Sequence, residues 1–393
     1  MTYRRAAIPV LAGGLLLTAL LWWAGASENA LHLQGATDAL GGRAVADLQQ
    51  WLSPWSYDPP DSVRFGTGAL GDIADPASAD PERYLSLYET GMQIRFATVF
   101  AVFVPGALLL VRRLPPVNRR MPATFLAVWA WGLVAGTVAV TVSTPWLIAS
   151  HGRGSYRLLP QLAASGGRQA TVVAALLAAA VTVLVARITA KGAGPLPLHA
   201  VPARSARLAA TAGTAVIAFS LLVLSYESVA ASIQTISVSD GLLSEPGDLL
   251  RQWLLLGGWS GPAGGPVGHW FLYRLADLLL LAVVWWSLRL LPVLLTRATV
   301  PATAAGAVCA TVVGLLANQV LQGAVTGADA GMRWGWQQLA GNLGHGVPAA
   351  LPWGLLAGLT TALILRLTGG RAEPHATPAP LPAPAALPDR PLG

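Results

Sequence analysis

Six polar residues sit within or at the ends of long apolar runs: Arg95, Glu227, Arg274, Asp277, Asn318 and Gln319. An ionisable group in hydrocarbon is costly, so it pairs with another group or faces a water-filled cavity. Arg274 and Asp277 are three residues apart, hence on one face of a helix, where the guanidinium can neutralise the carboxylate. Arg95 and Arg274 are separated by 179 residues, a spacing that recurs below. All six fall in the half of the membrane that the charge distribution makes the outer one. They predict a polar vestibule open to the outer face. The simpler account is snorkelling at helix ends plus one structural ion pair.

Other patterns carry less chemistry. Gly66-Thr67-Gly68-Ala69-Leu70-Gly71 has the GxGxxG spacing, but holding a pyrophosphate needs a buried strand before it and a helix N-terminus after it. Asp72, Asp75 and Pro76 follow instead, and a turn is expected. Asp58, Asp61, Asp72, Asp75, Asp80 and Glu82 crowd one segment without the alternating Asp/Asn and closing Glu of a calcium loop, so they read as a solvated acidic surface. The histidines, His32, His151, His199, His269, His345 and His375, are scattered without paired or HExxH spacing. Cys309 is the single cysteine and lies in an apolar run, which excludes an intrachain disulfide and a Cys-based zinc or iron–sulfur site. Neither a GxxxxGK[ST] loop nor a GxSxG elbow occurs. No catalytic residue, no metal ligand and no cofactor is assigned, and a membrane-embedded enzyme is disfavoured.

The inner half of the apolar runs is informative by what it contains. From the middle of the bilayer to the cytoplasm it offers hydroxyls such as Ser220, Thr311, Thr360 and Thr361 and no charge. An ion-coupled carrier usually places acidic groups near the midplane, so their absence counts against a carrier. Gly132 with Gly136, and Gly354 with Gly358, are GxxxG pairs that let helices approach closely, and contact within the bundle is expected from them rather than dimerisation.

The elements that carry these residues follow from composition and hydropathy. The 393-residue chain is 54% hydrophobic and 11% charged, too little polar surface for a soluble globule of this size. A span needs roughly 20 mostly apolar residues. Eight runs qualify: Ala6 to Ala26, Ile94 to Val111, Thr124 to Ile148, Ala170 to Val185, Leu208 to Leu224, Trp270 to Leu291, Ala302 to Val325 and Ala349 to Leu367. Met1 to Arg5 and the run after it resemble a secretory signal, but Trp22-Trp23 suit an interfacial belt, and an uncleaved first helix is expected.

Arg4, Arg5, Arg112, Arg113, Arg119, Arg120, Arg187, Lys191, Arg204, Arg207, Arg289, Arg297, Arg366, Arg371 and Arg390 gather at one set of helix ends, the links joining them and the tail, whereas 16 of the 18 acidic residues fall on the other side or at its border. The positive-inside rule then puts both termini in the cytoplasm of a cell-membrane protein. The net charge of +7 is explained by these ends, so nucleic acid is not expected as a partner.

An internal duplication is expected. Arg113-Leu114-Pro115, Arg119 and Pro122-Ala123-Thr124 are echoed by Leu290-Leu291-Pro292, Arg297 and Pro301-Ala302-Thr303. Gln161-Leu162-Ala163 and Gly167 recur as Gln338-Leu339-Ala340 and Gly344, with offsets of 177 to 179 residues. Asp47 to Leu52 likewise has a counterpart in Asp248 to Leu254.

The expected fold is therefore an all-α integral membrane protein with about eight transmembrane helices in two parallel four-helix repeats. Residues 1–190 form the first repeat, with an outer loop at 27–92. Residues 191–207 form a cytoplasmic linker, and 208–368 the second repeat, with an outer loop at 228–269. Residues 369–393 form a disordered Pro/Ala-rich cytoplasmic tail. Within the outer loops, Ala44 to Trp55 and Gly247 to Trp259 read as short interfacial helices.

Beyond the lipid bilayer, partners are expected to be proteins, met through the outer loops or the tail. The first expectation for function is a non-catalytic scaffold, sensor or assembly partner. The second is a permease-like transporter, or the membrane subunit of one, with a substrate path between the repeats.

Overall fold

The computed structural model describes residues 3–31, 34–59, 81–116, 120–150, 168–189, 202–237, 246–257, 267–330 and 342–369. Outside them lie the GxGxxG stretch, most of the acidic segment, Gln161 to Gly167, Gln338 to Ala340, Trp259, the linker up to residue 201 and the Pro-rich tail. The described residues are all-helical. Eight helices are long and apolar enough to cross a membrane, and such a chain is a multi-pass membrane protein.

The long helices are α1 (Tyr3–Ala26), α5 (Pro81–Arg113), α6 (Met121–Ser150), α7 (Arg168–Thr189), α8 (Ala203–Ala218), α11 (Val267–Leu294), α12 (Val300–Ala330) and α13 (Val347–Gly369). Short helices α2 (Glu28–Leu31), α3 (Gln34–Leu40) and α4 (Gly42–Leu52) precede a tight turn of 3-10 helix at Ser53–Trp55. Two more, α9 (Glu227–Gln234) and α10 (Pro246–Leu254), lie between α8 and α11. Proline stands at the first or second residue of α5, α6, α10, α12 and α13 (Pro81, Pro122, Pro246, Pro301 and Pro348), where its missing N–H has no intrahelical partner to lose.

One boundary departs far from the hydropathy reading, for a local reason, and one helix that ends where the reading ends it, at Leu224, does so in a wider turn. Helix α5 begins at Pro81 rather than Ile94, because Pro81 and the first-turn Glu82 start the helix in a charged stretch that apolar content alone passes over. Helix α8 continues as a wider turn over Phe219–Leu224, where both the N–H and the hydroxyl of Ser225 donate to the carbonyl of Ser220, at 3.1 and 2.9 Å.

Packing is local and regular. Helix α1 packs on α5 and α7, α5 on α6, and α6 on α7; in the second half α8 packs on α11 and α13, α11 on α12, and α12 on α13. The halves meet where α6 touches α12 and α13 and where α5 touches α12. There the Cys309 thiol donates to the carbonyl of Ala127 at 3.2 Å. One end of this seam, the arginine face, is closed by Arg120 donating to the carbonyl of Val293 at 3.2 Å and by the Thr296 N–H donating to that of Arg113 at 2.9 Å. The opposite side, the loop face, carries the short helices.

Small residues set the helix separations. A Cβ at Gly354 would stand 2.6 Å from the Cα of Val308, and one at Gly358 would stand 2.5 Å from that of Ala304, so α13 lies against the backbone of α12. In the first half Gly132 and Gly136 of α6 receive Ala175 and Thr171 of α7. Both GxxxG pairs therefore serve contacts inside the bundle. Elsewhere, large apolar side chains stand exposed, among them Leu11, Leu15 and Trp22 on α1 and Phe271, Leu275, Leu278 and Trp286 on α11. A surface of that kind is solvated by lipid.

Candidate functional site

The intramembrane polar residues divide into one buried charged cluster and a set of anchors for loop backbone. The cluster joins α11 to α12. Asp277 is 8% exposed, and its Oδ2 lies 3.1 Å from Nη1 of Arg274 one turn earlier on α11. Its Oδ1 accepts a hydrogen bond from Nδ2 of Asn318 at 3.0 Å. The Arg274 guanidinium also stands over the Trp270 ring, 6.0 Å from its centroid. Both carboxylate oxygens are thus occupied by protein donors, and a cation at this place would have to displace Arg274.

Gln319, the next residue along α12, has different partners. Its Nε2 donates to the carbonyl of His345 at 2.7 Å, and its Oε1 accepts from the N–H of Gly344 at 2.9 Å. One side-chain amide thereby closes the turn before α13. Gly344 and Gly346 occupy that turn at φ of 82° and 81°, a region in which a side chain would be strained. The turn lies at the level of Gln319, inside the apolar run of α12. Irregular backbone at such a depth has to be satisfied by protein.

The chain after α10 enters the bundle in the same way. The carbonyl of Leu254 accepts from the Ser220 hydroxyl at 2.6 Å and from the Trp353 indole at 2.8 Å. Both donors belong to apolar spans. Leu256, two residues on, is buried against the body of the bundle.

The first half has its own anchor, built on Arg95. This side chain is 3% exposed, its Nε donates to the Ser143 hydroxyl at 2.8 Å, and its Nη1 donates to the carbonyl of Pro54. Its guanidinium lies 5.8 Å from the centroid of Trp55, which is itself fully buried. The Tyr88 hydroxyl donates to the carbonyl of Ser56 at 2.8 Å, and the Trp55 and Tyr57 rings both pack on Phe96. The 3-10 turn after α4 is therefore held inside the start of its own four-helix group.

Of the six residues singled out from the sequence, Arg274, Asp277 and Asn318 come together. Gln319 is adjacent to them but holds a turn, and Arg95 holds the 53–57 backbone in the other half. Glu227 is exposed at the first residue of α9 and joins neither group. Sequence reasoning did not single out Ser143, Tyr88 or Trp353, and took Ser220 only as an inner hydroxyl. Each of the last three bonds a backbone carbonyl distant in sequence, which leaves no periodic signal. The available signal was a polar tip within or beside an apolar run, in Tyr88 and Trp353 above all.

Three further buried hydroxyls within the spans bond to their own helices, whereas that of Thr214 is buried without a hydrogen-bond partner. Thr182, Thr311 and Thr361 are fully buried, and each donates to the carbonyl four residues back, at 2.7, 2.9 and 2.7 Å. No family model, curated protein or solved structure matches this chain.

Proposed function

We propose that this chain is a non-catalytic scaffold, sensor or assembly partner of the cell membrane, with both termini in the cytoplasm and its loop face outward. One observation carries the reading: Tyr88, Arg95, Ser220, Gln319 and Trp353, all within apolar spans, direct hydrogen bonds to the backbone of segments on the loop face. Such anchors fix the shape of a surface and leave few polar groups to line a path. The buried threonines below them are bonded to their own helices. Orientation rests on the arginines at the opposite helix ends.

The architecture proposed with it is two parallel four-helix repeats, residues 1–190 and 208–368, with loop regions at 27–92 and 228–269. Two features support the duplication. The order of helix contacts is the same in both halves. Gly13 of α1 faces Thr182 of α7 as Gly213 of α8 faces Thr361 of α13. Protein partners are proposed to meet the outer loops or the 369–393 tail.

The second reading is a permease-like transporter or the membrane subunit of one. The Arg274, Asp277 and Asn318 cluster favours it, being a charged group inside a span that anchors no loop. Its candidate vestibule residues remain Arg95, Glu227, Arg274, Asp277, Asn318 and Gln319.

Cysteine accessibility separates the two readings. In a Cys309→Ala background, single cysteines at Thr182, Thr311 and Thr361 are treated with a membrane-impermeant maleimide in intact cells and in inverted vesicles. The scaffold reading expects no labelling from either side and migration in a complex larger than the chain itself on native gels. Labelling of these positions from both sides, or a host transport defect in a well-expressed Asp277→Asn variant, would establish a path and overturn it.

A further inference from the structure

The arginine-face end of the α8–α11 contact carries polar side chains that the loop anchors do not use. Trp285 of α11 donates its indole N–H to the Thr211 hydroxyl of α8 at 3.3 Å, and Thr211 in turn donates to the Arg207 carbonyl at 2.9 Å. The two helices run in opposite directions. One turn from this contact toward the arginine face therefore leads to Arg207 on α8 and to Arg289 on α11. The Arg289 guanidinium lies 5.3 Å from the Trp285 centroid and 5.6 Å from that of Trp286, so two indoles hold it. Arg204 and Arg207 are exposed on α8, and none of these three arginines has an acidic partner among the described residues. Their sequence neighbours Leu208 and Leu290, and Val293 one turn on, are exposed apolar side chains.

The first half, at the corresponding places, keeps one member of this set, Arg4 opposite Arg204, and lacks the rest. Aligning Gly13 with Gly213 and Arg95 with Arg274 puts Ala7 and Leu11 opposite Arg207 and Thr211, and Gly106 and Leu110 opposite Trp285 and Arg289. Gly106 lies against the Trp131 ring and Leu110 is buried, so that place is filled by protein. Helix geometry or membrane insertion alone does not require the cationic and aromatic set of the second half.

From this placement we infer that the arginine-face end of the α8–α11 contact binds the phosphodiester headgroup of an anionic glycerophospholipid, with Arg207 and Arg289 on the phosphate. Arginine suits the task because its planar donors match phosphate oxygens two at a time. The Trp285 and Trp286 rings sit at the height of the glycerol backbone, and Leu208, Leu290 and Val293 take the acyl chains. The inference rests on the arginine face meeting a lipid leaflet, and its comparison with the first half rests on the proposed duplication.

The test uses the full chain purified in a mild neutral detergent and observed by native mass spectrometry with added phosphatidylglycerol or phosphatidylcholine. The wild type is expected to retain phosphatidylglycerol preferentially. The Arg207→Gln/Arg289→Gln variant is expected to bind it roughly tenfold more weakly or worse. Arg112→Gln/Arg187→Gln, on helices of the first half, should keep wild-type binding. Arg289→Lys should fall between, since it keeps charge but loses the planar donors.

Equal retention of the two lipids by the wild type, or unchanged phosphatidylglycerol binding by the double variant, overturns the inference. So does displacement of the lipid by millimolar inorganic phosphate, which would mark a site for the free anion. Equal melting temperatures of the variants in lipid-free detergent establish that they are folded. The maleimide experiment reports sealing separately, so failure of either reading is recognised on its own.

Discussion

Asn318 of α12 donates to the carboxylate of Asp277 of α11 across the contact between the two helices, 3.0 Å from Nδ2 to Oδ1. The other carboxylate oxygen faces Arg274 at 3.1 Å. A charged pair and a neutral donor thus meet at one place in a bundle whose other polar groups mostly anchor backbone. Under the proposed duplication, Thr98 and Ala139 of the first half stand for Asp277 and Asn318. On that correspondence the cluster has no counterpart in the other half.

Removing Asp277 leaves Arg274 without its counter-charge, so Asp277→Ala should destabilise the protein by about 3–5 kcal/mol. Replacing both charges, Arg274→Met with Asp277→Leu, should cost far less than the sum of the single changes. Thermal unfolding of the four proteins in one detergent gives the coupling directly. Strict additivity would mean that the pair contributes nothing to stability.

Arg95 is expected to control the 53–57 backbone. Arg95→Leu removes the donors to Pro54 and Ser143 and the cation over Trp55. The buried Ser56, probed as a Ser56→Cys thiol in a Cys309→Ala background, should then react with maleimide about tenfold faster, as its opening free energy falls by about 1.4 kcal/mol. Tyr88→Phe deletes the hydroxyl's bonds to the Ser56 and Asp58 carbonyls, at 2.8 and 3.5 Å, and should give a smaller acceleration. Unchanged reactivity in Arg95→Leu would show that Trp55 packing and the Tyr88 bond seat the turn without Arg95.

The close approach of α13 to α12 predicts a contrast between two glycines. Gly358→Val would push a branched side chain onto the Ala304 backbone, which a Cβ already meets at 2.5 Å, and overpacking of this sort costs about 1–3 kcal/mol or more. Gly268 has open space around its Cβ position, so Gly268→Val should change stability by no more than about 0.5 kcal/mol. Melting temperatures in detergent decide the matter, and equal losses at the two positions would contradict the helix contact described.

How far these relationships could be read in the sequence depended on the range of the interaction. The eight spans were legible because twenty or so apolar residues in a row are a local property, and only the polar prefix of α5 from Pro81 escaped the rule. The Arg274–Asp277 pair was legible because both members lie on one turn of helix. Its link to Asn318 was not, since nothing local ties α11 to α12. The anchors were hidden for a further reason. Pro54, Ser56, Leu254 and His345 take part through backbone carbonyls, which every residue possesses, so residue type marked only the donor side of each bond. Gly344 belongs to the repeated sequence pattern, while its role in a turn closed by Gln319 depends on the fold.

The proposed duplication makes the most demanding prediction, because it requires two distant places to respond alike. A Cβ on Gly13 would stand 1.8 Å from the Thr182 hydroxyl oxygen, and one on Gly213 would stand 2.4 Å from that of Thr361. Gly13→Ala and Gly213→Ala should therefore both destabilise, by roughly 1–3 kcal/mol each, despite the better helix propensity of alanine. Thr182→Ala removes the obstructing hydroxyl and should recover most of the loss from Gly13→Ala while doing nothing for Gly213→Ala. Thr361→Ala should act in the reciprocal way, less completely, because Leu288 also lies 2.8 Å from the Gly213 Cβ position. The measurement is a set of melting temperatures for the four single and four double variants. Rescue confined to the matched pairs is the expected result; a Gly213→Ala variant as stable as the wild type would break the correspondence between the halves at the contact where it is closest.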